Sequence, residues 1–141
     1  MLVFILSLFH VFFYPEFNKP GLTVSLSNIK QAKGKVYVAV YDKQSVFLSM
    51  DKMIDRKIIT VTNSGNVVAS FENLPPGQYA ISCFHDQNGN GKLDTNFLGV
   101  PTEPYGFSNN ARPKFRAPSW DETKFYLNTS GYSLNINLEK W

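Results

Sequence analysis

The sequence predicts an all-β protein, an antiparallel β-sandwich of about seven strands with one long irregular loop. Aromatic residues make up 15% of the chain and accompany many Val, Ile and Thr residues, a composition typical of strands. Apolar and polar residues alternate with a period of two in several short segments, and turn-forming residues separate these segments. A chain of 141 residues, 43% of them hydrophobic, is long enough for the core of one domain.

The predicted strands each have one apolar face and end at turn residues. In the first strand Leu22, Val24 and Leu26 share a face, and in the second Val36, Val38 and Val40 do so. The last strand is predicted to bury Leu134, Ile136 and Leu138 and to expose Ser133, Asn135 and Asn137. The seven segments are LTVSL, GKVYVAVYD, KIITVT, NVVASFENL, YAISCF, TKFYLNT and SLNINLEKW. The turn at Ser130–Gly131 predicts that the last two strands pair with each other.

Two segments lack this alternation of apolar and polar residues. SVFLSMDKMIDRK has the composition of either a short helix or a loop that crosses between the sheets. The region from Asp86 to Glu122 is rich in Gly, Pro and Asn, and loops of this length are usually functional. Within it, SWDE is a capping-box pattern with Ser119 as the N-cap and Glu122 three residues later.

The N-terminal segment predicts export. It is apolar from Met1 to Tyr14, which is shorter than the roughly 20 residues of a membrane-spanning helix but typical of the apolar part of a signal peptide. No Lys or Arg precedes this run and no small-residue cleavage pattern follows it, so an apolar core element is the alternative. We expect residues 1–20 to be an export signal or an N-terminal apolar segment and residues 21–141 to be a single β-sandwich domain, secreted or periplasmic, with no stable membrane span.

Charge and cysteine content exclude several classes of protein. The net charge is +3, and the densest basic spot, Arg112, Lys114 and Arg116, lacks a recognition motif, which argues against nucleic-acid binding. Cys83 is the only cysteine, so the chain has no intrachain disulfide and no cysteine metal cluster. Its segment favours a buried apolar role over a catalytic pair with His85, since no third group is available to orient the pair.

The stretch HDQNGNGKLD has the spacing of a calcium loop. Calcium prefers several oxygen ligands, which such loops supply at positions 1, 3, 5, 7 and 9 around a glycine turn. The proposed ligands are Asp86, Asn88, Asn90, the carbonyl of Lys92, Asp94 and, from outside the loop, Glu103. Position 12 holds Phe97 instead of the glutamate of a helix-loop-helix site. The alternative is a polar turn without metal, in which Asp and Asn side chains accept backbone N–H bonds.

The same region resembles a known family. The stretch FENLPPGQYAISCFHDQNGNGKLDTNFLGVPTEPYGFSNNA looks like the signature of domain of unknown function 2141, a family of exported bacterial proteins. The likeness extends to GKVYVAVYD and APSWDETKF, and Pro104 stands where a glycine is expected. More distantly, FENLPPGQYAI and the following loop are similar to prealbumin-like B-type repeats of bacterial surface adhesins. That resemblance implies a prealbumin-like or immunoglobulin-like sandwich and strengthens the calcium hypothesis, but it implies no activity.

A second candidate surface follows the polar loop. Tyr105, Phe107, Asn109 and Asn110 are candidates for binding a carbohydrate or peptide, although the pattern favours aromatic rings that anchor the loop on the sandwich. An envelope hydrolase using His85, Asp86, Asp94 and Glu103 is a third hypothesis, but no nucleophile, base and orienting group can be assembled. We therefore expect a non-enzymatic protein of the bacterial cell envelope with a binding or structural role and an envelope or surface partner.

Overall fold

The computed structural model describes residues 21–141. These residues form eight strands and one short helix, so the all-β prediction is confirmed. The export segment predicted for residues 1–20 lies outside the described residues. The elements are β1 (Leu22–Ile29), β2 (Lys35–Tyr41), β3 (Asp55–Thr60), β4 (Gly65–Phe71), β5 (Gly77–Asp86), β6 (Tyr105–Phe107), α1 (Trp120–Thr123), β7 (Phe125–Leu127) and β8 (Tyr132–Asn137).

The strands form two sheets that pack around one main core. The first sheet has the order β4-β1-β8, and the second has the order β3-β2-β5-β6 with β7 also paired to β5. All pairs are antiparallel except β1 with β8, which run parallel. The core draws on both sheets, as expected for a sandwich, because alternate residues of each strand point to the same side.

The predicted phase of the strands is confirmed. The apolar residues predicted for β1 and β2 are all buried in the main core. In the last strand Ile136 and Leu138 are buried and Leu134 is partly buried, whereas Ser133 and Asn135 are exposed. The period-two pattern predicted this correctly because one face of each of these strands lies on the main core, although the other face of β2 is also buried at Ala39 and Tyr41.

The predicted pairing of the last two strands is wrong. β7 pairs with β5 in the second sheet, and β8 crosses over to lie beside β1 in the first sheet. The Ser130–Gly131 turn therefore changes sheets instead of closing a hairpin. Gly131 has a φ of +87° there, and a Cβ at this position would lie 2.9 Å from the carbonyl oxygen of Gly21. The turn thus packs directly against the chain that enters β1.

Part of each segment that lacks a clear period covers the second sheet on its outer side. A 3-10 turn, Gln44–Val46, begins one residue before SVFLSMDKMIDRK, and that segment ends inside β3. Its Phe47, Leu48 and Met53 pack with Trp120 of α1 against Tyr41, forming a second, smaller core. The segment is therefore mainly a loop, but it connects β2 and β3 within one sheet, so the predicted crossing between the sheets is wrong.

The predicted capping box is present at α1. The Ser119 side chain accepts the N–H of Glu122, and the Glu122 carboxylate accepts the N–H of Ser119. Arg116 also binds this carboxylate, and their hydrogen bond lowers the pKa of Glu122 to about 2, with the Ser119 N–H contributing further. The carboxylate thus stays charged, and the cap intact, until the pH falls to about 2.

The two ends of the sandwich differ. We call the end at which β1, β5 and β8 finish the loop end, because the chain from Gln87 to Pro104 extends from it. Lys35 pairs with Asp86 at this end, since β2 begins where β5 finishes. At the opposite end Leu22 pairs with Phe71.

The buried and exposed faces of β8 give a matched test of the core. Ile136→Ala should lower the free energy of unfolding by about 2–4 kcal/mol, because it leaves a cavity among fully buried side chains. Asn135→Ala on the outer face should cost within about 0.5 kcal/mol. Chemical denaturation measures both, and equal losses would show that the assigned strand phase is wrong. Val38→Ala should fall between the two values.

Candidate binding loop

A buried aspartate starts the loop. Asp86 is the last residue of β5, and its side chain has no exposure to solvent. One carboxylate oxygen accepts the N–H of Gly89 at 2.9 Å and of Asn90 at 3.2 Å, and the other accepts the N–H of Gly91 at 2.8 Å. Gly91 has a φ of +78°, which allows the backbone to curl around the carboxylate. Asp86 therefore satisfies a whole turn of backbone donors.

The connection from β1 to β2, which crosses from one sheet to the other, packs against this turn. Gly34 has a φ of +70°, and a Cβ there would lie only 2.0 Å from the carbonyl oxygen of Asp86. His85 is fully buried beside it, and its Nε2 lies 2.7 Å from the carbonyl oxygen of Lys33. The start of the loop is thus held from both sides by backbone contacts.

Asp94 gathers the two asparagines of the loop. Its carboxylate accepts the side-chain N–H of Asn88 at 2.5 Å and of Asn90 at 2.7 Å. The amide oxygens of the same asparagines accept backbone N–H groups, of Asn90 at 3.2 Å and of Lys92 at 3.0 Å. The side chains predicted as ligands at positions 3, 5 and 9 therefore do meet, but through hydrogen bonds to one another.

Glu103 closes the loop from the far side. It is 5% exposed, and its two carboxylate oxygens accept the N–H of Gln87 at 2.8 Å and of Asp94 at 3.0 Å. One side chain therefore joins the outgoing and the returning arms of the loop. Its predicted position beside the Asp86 loop is found, with both oxygens directed at backbone donors.

The tip of the loop is a rigid turn with an apolar end. Thr95 and Pro101 form a bridge, and the side-chain oxygen of Asn96 accepts the N–H of Leu98 at 2.9 Å and of Val100 at 3.1 Å. Phe97 is 95% exposed and Leu98 is 72% exposed. Isolated exposed apolar residues are common, but two adjacent large ones on a well-bonded turn are typical of contact surfaces.

Cys83, the candidate nucleophile, has a structural role. Cys83 is buried, its thiol donates to the carbonyl oxygen of Gly106 at 3.3 Å, and burial raises the pKa of this thiol well above its ordinary value. A thiol that stays protonated is a poor nucleophile. Within residues 21–141, no group of three or more His, Cys, Asp or Glu side chains is arranged to hold a metal ion.

The aromatic residues of the second candidate surface do not form a flat platform. Tyr105 is buried, and the guanidinium carbon of Arg112 lies 4.3 Å from the centre of its ring. Phe107 is half-buried, and its ring is inclined at 74° to that of Tyr105. The Arg112 side chain also donates to the Tyr105 carbonyl oxygen at 2.5 Å, which fixes this segment to the sandwich. The geometry is that of loop anchors.

The asparagines of that surface replace missing backbone partners. The amide of Asn110 donates to the carbonyl oxygen of Asn135 at 3.2 Å and accepts the N–H of Asn137 at 2.8 Å, so it bonds to the edge of β8 as a neighbouring strand would. Asn109 donates to the carbonyl oxygens of Glu122 and Lys124. Both residues have positive φ values, which Asn tolerates better than most residues.

Sequence reasoning missed two features of this region. The buried hydroxyl of Ser108 accepts the N–H of Ile81 at 2.9 Å and donates to the carbonyl oxygen of Thr123 at 2.6 Å, joining β5 to α1. The exposed pair Phe97–Leu98 was noted only as a departure from the helix-loop-helix pattern. The sequence does contain a signal for this exposed pair: two large apolar residues stand within the polar stretch TNFLG, in a loop that has no buried strand face.

The fold and the loop define a small β-sandwich protein with one clamped, apolar-tipped loop. The chain belongs to the family described as "Uncharacterized protein conserved in bacteria (DUF2141)", whose model matches residues 24–135. The family resemblance read from the sequence is thereby confirmed. No helix of the described residues is long and apolar enough to cross a membrane.

Comparisons with individual proteins are less informative than the family match. The chain is similar to a fimbrial assembly protein from Parabacteroides distasonis ATCC 8503, known from a crystal structure at 2.38 Å resolution, with 12% sequence identity and a TM-score of 0.43. The match covers 85% of this chain and 52% of that chain, so this chain spans about half the length of the fimbrial protein. A search of curated proteins found no match.

The Glu103 clamp gives a test of the loop. Glu103→Gln replaces one acceptor oxygen by an NH2 group, which leaves the N–H of either Gln87 or Asp94 without a partner. The free energy of unfolding should fall by about 1–3 kcal/mol. Limited proteolysis should then cut between residues 88 and 102 faster than in the wild type. The matched control is Glu72→Gln, at an exposed position of the opposite end, which should change neither property. Unchanged proteolysis in the Glu103 variant would show that the clamp does not hold the loop.

Proposed function

We propose that this protein is a non-enzymatic binding module of the bacterial cell envelope and that the loop from Gln87 to Pro104 is its binding element. The observation that carries the proposal is the rigid, double-clamped loop with Phe97 and Leu98 exposed at its tip. A fixed loop loses little conformational entropy on binding, which favours recognition. The family membership and the apolar segment of residues 1–14 are consistent with a bacterial exported protein.

The chemistry of the neighbouring side chains supports binding over catalysis. A general acid or base needs a carboxylate or imidazole that a substrate can reach. Asp86 and His85 have no exposure to solvent, and Glu103 uses both oxygens on backbone donors. The hydrolase hypothesis is therefore weaker than the binding hypothesis for this loop. A carbohydrate or peptide site on Tyr105 and Phe107 is also weaker, because the first ring is buried under Arg112.

Export is the first expected outcome. When the full chain is produced in a bacterial host, the mature protein should be found outside the cytoplasm without its apolar N-terminal segment. Cell fractionation and intact-protein mass spectrometry measure location and processing together. A cytoplasmic protein that retains Met1 would contradict the proposal.

Retention by isolated envelopes tests the binding role. The exported protein should sediment with washed bacterial envelopes, and Phe97→Ser with Leu98→Ser should release it while leaving the melting temperature unchanged. The control is Met50→Ser, which alters a residue of similar exposure in the loop of the opposite end. If the tip variant is retained as well as the wild type, the loop is not the binding element.

We propose calcium as an ordering ion of the same loop. The supporting observation is that the side chains at positions 3, 5 and 9 lie in one hydrogen-bonded cluster, and that Asp86 at position 1 binds the N–H of the turn glycine in the same loop. Calcium would be held by the carboxylates of Asp86 and Asp94, the amide oxygens of Asn88 and Asn90, and the Lys92 carbonyl. The asparagines turn their nitrogens, not their oxygens, towards Asp94, so binding requires both amides to rotate.

A calcium titration decides between an ion site and a polar turn. Extracellular sites bind at about 10⁻⁴ to 10⁻³ M, so millimolar calcium is required. At ten times the dissociation constant the ion would add about 1.4 kcal/mol, which raises the melting temperature by a few degrees. Asp94→Asn should remove this calcium-dependent shift, and magnesium should produce a smaller one. A wild-type melting temperature that does not respond to millimolar calcium would establish the loop as a turn without metal.

A further inference from the structure

We propose that the loop end docks on an anionic phospholipid bilayer, with Phe97 and Leu98 entering the boundary between headgroups and acyl chains. The inference rests on the proposed binding role of the loop and names its partner. It follows from three features found together at this end of the sandwich: an apolar tip, a turn closed by internal hydrogen bonds, and an excess of exposed basic residues.

The tip has the polarity that a bilayer boundary requires. The seven residues TNFLGVP, from Thr95 to Pro101, contain no charged side chain, and the two largest of them point into solvent. Peripheral proteins bury such side chains about 5–10 Å into the interface. Phe97 and Leu98 lie next to each other at the turn, so they can enter together without moving the sandwich.

Most of the N–H groups of the tip are hydrogen-bonded within it. Unsatisfied backbone groups are costly in hydrocarbon, so each internal bond lowers the cost of entering the interface. The N–H groups of residues 96, 98, 99 and 100 all bind oxygens inside the tip, at distances of 2.9 to 3.1 Å. Three of these bonds use the backbone or side-chain oxygens of Asn96 alone.

The charges at the loop end favour an anionic partner. Five exposed lysines lie here: Lys30, Lys33, Lys35, Lys92 and Lys140. None of them forms a salt bridge with another residue of the 21–141 region. The same end also holds four acidic residues, Asp86, Asp94, Glu103 and Glu139, so the five lysines and Arg112 leave an excess of two basic residues. Basic residues near a membrane surface are attracted to anionic lipids.

The opposite end of the sandwich is more acidic, and this difference in charge sets the orientation of the protein on the bilayer. Its loops and strand ends carry Asp42, Asp51, Asp55 and Glu72 against Lys43, Lys52 and Arg56, so acidic residues outnumber basic ones there. An anionic surface would repel these acidic residues and attract the lysines of the loop end, turning the loop end towards the bilayer. Nucleic acid or an acidic polysaccharide would use the lysines but would leave Phe97 and Leu98 in water, so the apolar tip favours lipid.

Vesicle flotation tests the proposal. Vesicles of equal parts phosphatidylglycerol and phosphatidylcholine should carry the exported protein to the top of a density gradient, and pure phosphatidylcholine vesicles should carry at least about tenfold less. Phe97→Ser with Leu98→Ser should reduce flotation about tenfold. Lys30→Gln, Lys33→Gln and Lys92→Gln together should reduce it similarly, whereas the matched triple change Lys43→Gln, Lys52→Gln and Lys57→Gln away from the loop end should not. In a Phe97→Trp variant, tryptophan emission should shift to shorter wavelength on adding anionic vesicles.

Several results would overturn the proposal. Equal flotation with both lipid compositions would exclude charge recognition, and full flotation of the tip variant would exclude apolar insertion. Binding to acidic polysaccharide or to DNA, unaffected by the tip variant and without flotation on vesicles, would identify a different anionic partner. If the protein is retained on whole envelopes through the tip but does not float with vesicles, the binding role stands and the lipid partner is wrong.

Discussion

The buried carboxylate of Asp86 is the interaction on which the loop depends. It ends β5 inside the protein, and its two oxygens satisfy three consecutive backbone N–H groups. Without it the N–H groups of Gly89 and Gly91 would lose the partner that they have in this turn, and one hydrogen bond contributes about 0.5–1.5 kcal/mol. The Glu103 clamp and the Asp94 cluster build on this turn, since both bind residues whose positions it sets. The apolar tip is held away from the sandwich by the same sequence of contacts.

Polar side chains take the place of backbone hydrogen-bond partners at several points in this protein. Asn110 bonds to the edge of β8 as a strand would, Ser108 joins β5 to α1, and Asn96 satisfies the turn at the tip. Exposed strand edges invite unwanted pairing, so a side chain that occupies part of an edge protects it. The long connection after β5 can therefore stay irregular and yet be fixed, because its donors and acceptors are paired one by one.

Local patterns predicted the strands well and their partners less well. Val38 and Ile136 were assigned to the core correctly because period-two alternation reports which face is buried. Ser130–Gly131 marked a change of direction, but turn residues do not specify whether the next strand stays in the same sheet. β6 was missed because its three residues are too few to show a period. The spacing of Asp86 to Asp94 predicted the clustering of the loop side chains, whereas the partners of Glu103 and Asn110 depend on contacts distant in sequence.

The Asp86 turn also bears on the chemical lifetime of the protein. The loop contains two Asn-Gly pairs, Asn88–Gly89 and Asn90–Gly91, and such pairs age by deamidation, in which the glycine nitrogen attacks the asparagine side-chain carbonyl. Both attacking nitrogens are the ones whose N–H groups Asp86 holds, and Asp94 fixes both side-chain amides. The folded loop thus keeps the two glycine nitrogens from attacking the asparagine side chains, in a sequence that would otherwise deamidate quickly. Spontaneous damage at these pairs should accordingly begin in molecules whose loop has already opened.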